Sequence, residues 1–156
     1  MGFDWHMHYV KNLNSNPHYP FMNIKPRQTC GGILLENGKI LLGKRNKERL
    51  YPDIWDIFGG HIEQNETKEQ TLQRELEEEL GIIATSIEFL ESYQDKEPTF
   101  GYDYVHHIYI VKSWEGIPKN KNTNEHENIG WFSKEEIKNL KMHKEVKRII
   151  LENLDF

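Results

Sequence analysis

Four carboxylates stand within five positions at Glu75, Glu77, Glu78 and Glu79, and that density points to chemistry before anything else in the chain does. On an α-helix, at about 100° per residue, Glu75, Glu78 and Glu79 share one arc of about 100°, while Glu77 points elsewhere. Like charges three or four residues apart repel, and partial burial strengthens the repulsion. Arg74 can pair with Glu78 one turn on, but one guanidinium cannot neutralise the whole group. Hard divalent cations with oxygen ligands are the natural complement. Mg²⁺ suits best, because it accepts a few carboxylates and leaves its other positions to water and phosphate. The bland alternative is a solvated Glu-rich face, formed because Glu favours helices.

The elements that would position these acids are legible around them. Leu72, Leu76 and Leu80 form an apolar stripe directly beside the acidic arc, which puts the acids at the edge of a core and not on the far solvent side. Thr67 is placed as N-cap, Gln70 completes a capping-box pattern, and Gly81 is placed to end the helix, so the spacing predicts a helix over about 67–80. Just upstream, Gly59-Gly60 and the turn HIEQNE bring a strand end tightly onto the helix start, and glycines there permit close backbone approach. A strand, a glycine-bearing loop and a helix presenting carboxylates together suit a diphosphate and metal site.

Further out, Gln28 to Arg45 reads as two strands joined at Asn37-Gly38, the pair preferred by a type I′ hairpin turn. Ile82–Tyr93, Tyr104–Trp114 and Asn128–Phe132 read as strands, with Gly116-Ile117-Pro118 breaking the second. Ser133 with Glu136 opens a helix, and Val146, Ile149, Ile150 and Leu154 mark a last one. Strands flanked by helices predict an α/β fold, α+β by some schemes. At 156 residues the chain fits one domain, read as residues 23–156 behind an extension at 1–22. His6 and His8 in that extension could share a metal, although terminal histidines are usually solvated.

With 37% hydrophobic and 29% charged residues and a mean hydropathy of -0.78, the composition is that of a packed soluble domain. No apolar run approaches the roughly 18 residues of a spanning helix, and MGFDWHMHYV lacks the order of a signal peptide, so a cytoplasmic protein without membrane partners is expected. Cys30 is the sole cysteine, which excludes an internal disulfide and a cysteine zinc cluster. A net charge of -5 disfavours grip on nucleic acid. An acidic protein that handles a phosphorylated substrate needs cations as intermediaries.

Gly60, five residues, Glu66, seven residues, then Arg74-Glu75-Leu76-Glu77-Glu78-Glu79-Leu80-Gly81-Ile82 resembles the complete Nudix box, G-x5-E-x7-R-E-U-x-E-E-x-G-U with U aliphatic. The resemblance extends over about residues 25–154 and implies an α/β/α sandwich with a mixed β-sheet between helices. It implies a Mg²⁺- or Mn²⁺-dependent pyrophosphohydrolase of small nucleotides: nucleoside triphosphates, or nucleoside diphosphates linked to another moiety such as ADP-ribose. A homodimer is compatible with it. The implied metal ligands are Glu75, Glu78, Glu79 and the carbonyl of Gly59. Arg74 is implied to orient a glutamate, and Glu66 to support the loop and helix by hydrogen bonding. Family members often recruit one more acid from a later loop, here Glu125 in Glu125-His126…Trp131, with Glu127 as runner-up. Either Glu78 or Glu125 could serve as general base. The different-class alternative is a binding module that kept the fold and senses a nucleotide without cleaving it.

Two positions depart from the usual family wording. Phe58 stands where Pro usually precedes the glycine pair, giving a Trp…Phe-Gly-Gly text that resembles members which cleanse oxidised purine nucleotides. Asn65 replaces a loop glycine, and Asn tolerates positive φ. Pro98, sixteen residues beyond the box, resembles the spacing in ADP-ribose-cleaving members. Trp55, Phe58, Phe100 and Tyr102 are candidates to stack on a base or to pack the protein. Lys44 and Arg45 end a strand where they could meet phosphates. His106 and His107 sit on alternate faces of a strand, so one faces inward.

Overall fold

The computed structural model describes residues 25–49, 51–97 and 102–156. The expectations placed on the 1–22 extension, His6, His8, Pro98 and Phe100, and on the Tyr102 side chain, lie outside those residues. In chain order the elements are β1 (Arg27–Glu36), β2 (Lys39–Arg45), β3 (Trp55–Asp56), β4 (Phe58–His61), α1 (Lys68–Leu80), β5 (Ile83–Glu97), β6 (Tyr102–Glu115), β7 (His126–Phe132), α2 (Lys134–Asn139) and α3 (Lys144–Asn153).

The β1–β2 hairpin closes where its turn residues predict. Asn37 and Gly38 take φ values of 50° and 71°, both positive as a type I′ turn requires, and Glu36 pairs with Lys39 across it. Beyond Leu34 the two strands part. The rest of β1 takes β4 as antiparallel partner from Gly32↔Phe58 to Thr29↔His61, while β2 turns to β3 and β7. On its other edge β1 runs parallel to β6 from Arg27↔Tyr104 to Leu34↔Val111, and β6 pairs antiparallel with β5. The described residues thus form one mixed seven-stranded sheet.

Because successive strand residues face opposite ways, the longer strands feed two cores. Cys30, Leu34, Leu41, Phe58, Tyr109 and Val111 pack against Leu72, Leu76 and Leu80 of α1. Ile33, Ile40, Leu42 and Ile108 pack on the other face against Ile137 of α2 and Val146, Ile149 and Ile150 of α3. This double coverage is why Cys30–Leu34 reads as a continuous buried run and not as an alternation. The arrangement is the α/β/α sandwich implied by the box. Each fully buried leucine of α1 contributes about 1.5–3 kcal/mol by leaving water, so the stripe anchors the acidic arc to the sheet. The capping box of Thr67 and Gln70 starts α1, and Gly81, left-handed at φ 71°, ends it.

Candidate active site

Where β1 parts from β2 lies a cleft of about 630 Å³, lined by Thr29, Cys30 and Gly31 of β1, and α1 delivers its acids to it. Glu75, Glu78 and Glu79 all line this cleft with Gly59 and Arg74, while Glu77 is exposed and does not line it. Burial separates the three acids. The Glu79 side chain is 5% exposed, that of Glu75 15% and that of Glu78 56%, so they form a gradient from core to solvent.

Arg74 is the hub of the cluster. Its Nε and one terminal nitrogen donate to both oxygens of Glu66 at 2.7 and 3.0 Å, and that second nitrogen also donates to the His61 carbonyl at 3.1 Å. The remaining nitrogen donates to Glu75 Oε1 at 2.7 Å and reaches Glu78 Oε2 at 3.4 Å. Glu66 further accepts from the Thr71 hydroxyl at 2.8 Å and the Glu63 N–H at 3.2 Å. The Arg74 guanidinium, followed by the Thr71 hydroxyl, pushes the Glu66 carboxyl down to about 2. Glu75 moves the opposite way. Burial raises its carboxyl, Arg74 opposes the rise, and the charges of Glu79 and Glu78 add to it. The loop that carries Glu66 turns at Asn65, which takes φ 70° in place of the usual glycine.

The glycine pair lets these acids reach the sheet. A Cβ on Gly60 would occupy the space of the Glu75 carboxylate, so that position is a cradle that any side chain would fill. Gly59 donates its N–H to Glu79 Oε2 at 2.9 Å. Among the described residues no three His, Cys, Asp or Glu side chains close around one point by themselves: Arg74 holds Glu75 and Glu78 while Gly59 and His126 hold Glu79. The donor set of hard oxygens around a glycine cradle nevertheless fits a small divalent cation.

Glu125 also lines the cleft and is ion-paired with Arg49, which lines it too. Glu127 does not; its carboxylate takes Lys44 Nζ at 2.6 Å. Lys44, one of the two cations expected to meet phosphates, is paired with Glu127 and Asp53 and does not line the cleft, whereas its neighbour Arg45 does. The pairing of β2 with β7 shifts register between Lys44 and Arg45, and the two cations part there. Phe58 departs from the expectation that it could stack on a base. It is wholly buried in the core, its ring edge-on to His126 at 5.0 Å, and cannot stack on a base. Trp55 likewise packs, against Phe132 at 4.6 Å.

A second wall of the cleft was not anticipated from the sequence. Tyr93 stacks on His106 at 4.7 Å and on His143 at 5.7 Å, and His106 stacks on Tyr104 at 5.7 Å. His143 lies 3.2 Å from Asp95, and burial raises the nearby Asp56 carboxyl against the opposing charge of Arg45. His106 is bonded to the Thr29 hydroxyl at 2.6 Å, and burial pushes it down to about 4. The inward-facing partner of the pair is His107, bonded to Ser92 and Gln28 at 2.6 Å each. These residues come from four strands and from the N-cap of α3, so spacing carried no signal that they would meet. His126 was visible only as the neighbour of Glu125.

A family model for the NUDIX domain matches residues 25–154. An 8-oxo-dGTP diphosphatase of Haemophilus influenzae is 37% identical over 98 residues, covering 62% of this chain and 71% of that protein. A CTP pyrophosphohydrolase of Escherichia coli is 34% identical over 113 residues, covering 72% of this chain and 80% of its own. The crystal structure of a MutT NUDIX hydrolase from Burkholderia pseudomallei superposes with a TM-score of 0.76 at 30% identity, covering 84% of this chain and 99% of that one. With the box filled, the sandwich formed and the acids gathered on one cleft, the chain belongs to the Nudix family of hydrolases.

Proposed function

We propose that this Nudix hydrolase cleaves a nucleoside triphosphate to the monophosphate and pyrophosphate, with Mg²⁺ or Mn²⁺ held by Glu75, Glu78, Glu79 and the Gly59 carbonyl. The observation that carries the reading is the meeting of three α1 carboxylates with Glu125, Arg45 and Arg49 in one cleft. The two relatives are named for triphosphate substrates, which favours a triphosphate over ADP-ribose. When bound, the divalent cation offsets phosphate charge and acidifies water.

The chain's own residues supply the rest. Arg45 and Arg49 face the negative oxygens of the substrate, and the stacked Tyr93, His106 and Tyr104 form an aromatic wall beside the base. Arg49 fixes where the Glu125 carboxylate stands. Water attacks phosphorus, the bridging P–O bond breaks with its electrons leaving on pyrophosphate, and Glu78 or Glu125 takes the proton of the water.

Incubation with canonical and oxidised triphosphates and with ADP-ribose, each with and without Mg²⁺ or Mn²⁺, tests the reading by ³¹P NMR of the products. Metal-dependent pyrophosphate release from a triphosphate is expected. If Glu125 is the base, Glu125→Gln at saturating metal lowers kcat by about 10²–10⁴-fold with KM retained; if kcat is kept, the role falls to Glu78. Hydrolysis of ADP-ribose with every triphosphate left intact would refute the substrate class.

A further inference from the structure

His126 is 2% exposed and does not itself line the cleft, yet its Nε2 lies 3.1 Å from Oε1 of Glu79, which does. A carboxylate oxygen only accepts, so Nε2 is the donor of this bond. The other nitrogen, Nδ1, is buried without a partner. Glu79 is therefore gripped twice: Oε1 by the imidazole and Oε2 by the Gly59 N–H at 2.9 Å. With both oxygens held, the carboxylate cannot rotate, and it is fixed at the wall of the cleft that Glu79 lines.

The fold makes room for this contact at a cost. The ring stands over β2 at Gly43, where a Cβ would come within 2.5 Å of Nδ1 and 2.8 Å of Cγ. A buried Glu–His pair with one nitrogen unsatisfied is a weaker way to fill space than two apolar side chains. Packing alone does not account for it.

We infer that His126 is a positioning residue, which orients the Glu79 carboxylate for a divalent cation through the Nε2–Oε1 hydrogen bond, and that Gly43 is required to admit its ring. The inference rests on the reading of Glu79 as a metal-binding acid and extends it one layer outward. Partners that hold ligating groups from behind typically govern metal affinity or activity by about 10- to 100-fold.

The test is Mn²⁺ binding to the full chain followed by EPR, with no nucleotide present, beside the Mg²⁺ dependence of turnover. His126→Leu keeps bulk and removes the donor; its affinity for Mn²⁺ is expected to fall about 10- to 100-fold, with the Mg²⁺ concentration for half-maximal rate rising in parallel and the nucleotide KM at saturating metal unmoved. His126→Gln, whose amide nitrogen can stand near the place of Nε2, is expected to restore affinity to within about threefold of the parent. Gly43→Ala displaces the ring and is expected to weaken Mn²⁺ like His126→Leu, without a further loss when the two are combined. Unchanged Mn²⁺ binding in His126→Leu overturns the inference, and so does equal weakening in His126→Leu and His126→Gln, which marks a packing role. Glu79→Gln separates the two levels. If it binds Mn²⁺ as the parent does, the metal reading of Glu79 fails and takes this inference with it; if it weakens while His126→Leu does not, only the role of His126 fails.

Discussion

Replacing Arg74 by Met removes the one cation that Glu66, Glu75 and Glu78 share while keeping an unbranched stem of similar length. The Arg74 side chain is 24% exposed and Glu75 15%, so their 2.7 Å bond is largely shielded from water. A hydrogen bond to a charged group in such a setting contributes about 1.5–3 kcal/mol, and the open Glu78 contact at 3.4 Å adds at most a few tenths. The paired contacts to Glu66 act in the same direction. The expected loss is about 2–3 kcal/mol, a fall in Tm of about 4–12 °C for a domain of this size. Differential scanning fluorimetry with and without Mn²⁺ measures it. Because a bound cation takes over the missing countercharge, Mn²⁺ should raise the Tm of Arg74→Met more than that of the parent. Arg74→Lys should not restore the parent, since a point charge cannot serve Glu66 with two bonds and Glu75 with a third. A Tm for Arg74→Met within about 1 °C of the parent, with equal responses to Mn²⁺, would refute the reasoning and return the acids to a solvated helix face.

Other perturbations separate packing from chemistry. Gly60→Ala should displace the Glu75 carboxylate from its cradle and cut kcat/KM by about 10²-fold, read in the triphosphate assay. Phe58→Leu should cost about 1–2 kcal/mol in urea melts and leave the nucleotide KM unchanged, because the ring is core. For His106, burial lowers the folded value from 6.5 to about 4, so between those values the unfolded chain binds a proton that the folded chain refuses. Stability therefore falls as pH drops from about 6.5 to about 4, and His106→Gln should flatten that part of the profile in thermal melts across pH.

Local chemistry explains what the sequence could disclose. Thr67, Gln70 and Gly81 set the ends of α1 by bonds within a few residues, and Asn37-Gly38 sets the hairpin through backbone preference alone, so both are readable without a partner. The box carries its spacing in one segment, which is why Arg74 could be placed with its glutamates. What depends on distant register was hidden. Nothing within the Trp55–Gly60 text says that β4 will pair with β1 and sink Phe58 into the core. Nor does the Lys44-Arg45 pair show which side chain faces the cleft, because the flanking strands β3 and β7 decide it. The Tyr93–His106–His143 wall and the Glu79–His126 bond join residues up to 50 positions apart, beyond the reach of any periodicity.

The parallel seam between β1 and β6 has a consequence for how the enzyme comes into being. The hairpin of β1 and β2 closes locally, but one whole flank of β1 stays bare until a strand some seventy residues later has been synthesised, and such long-range pairing is slow. The box helix emerges before that flank is covered, and the histidine that grips Glu79 emerges later still. A nascent chain on the ribosome thus carries every residue of the signature while its catalytic gap does not yet exist, and during that interval an uncovered apolar strand edge is exposed to aggregation and to chaperones.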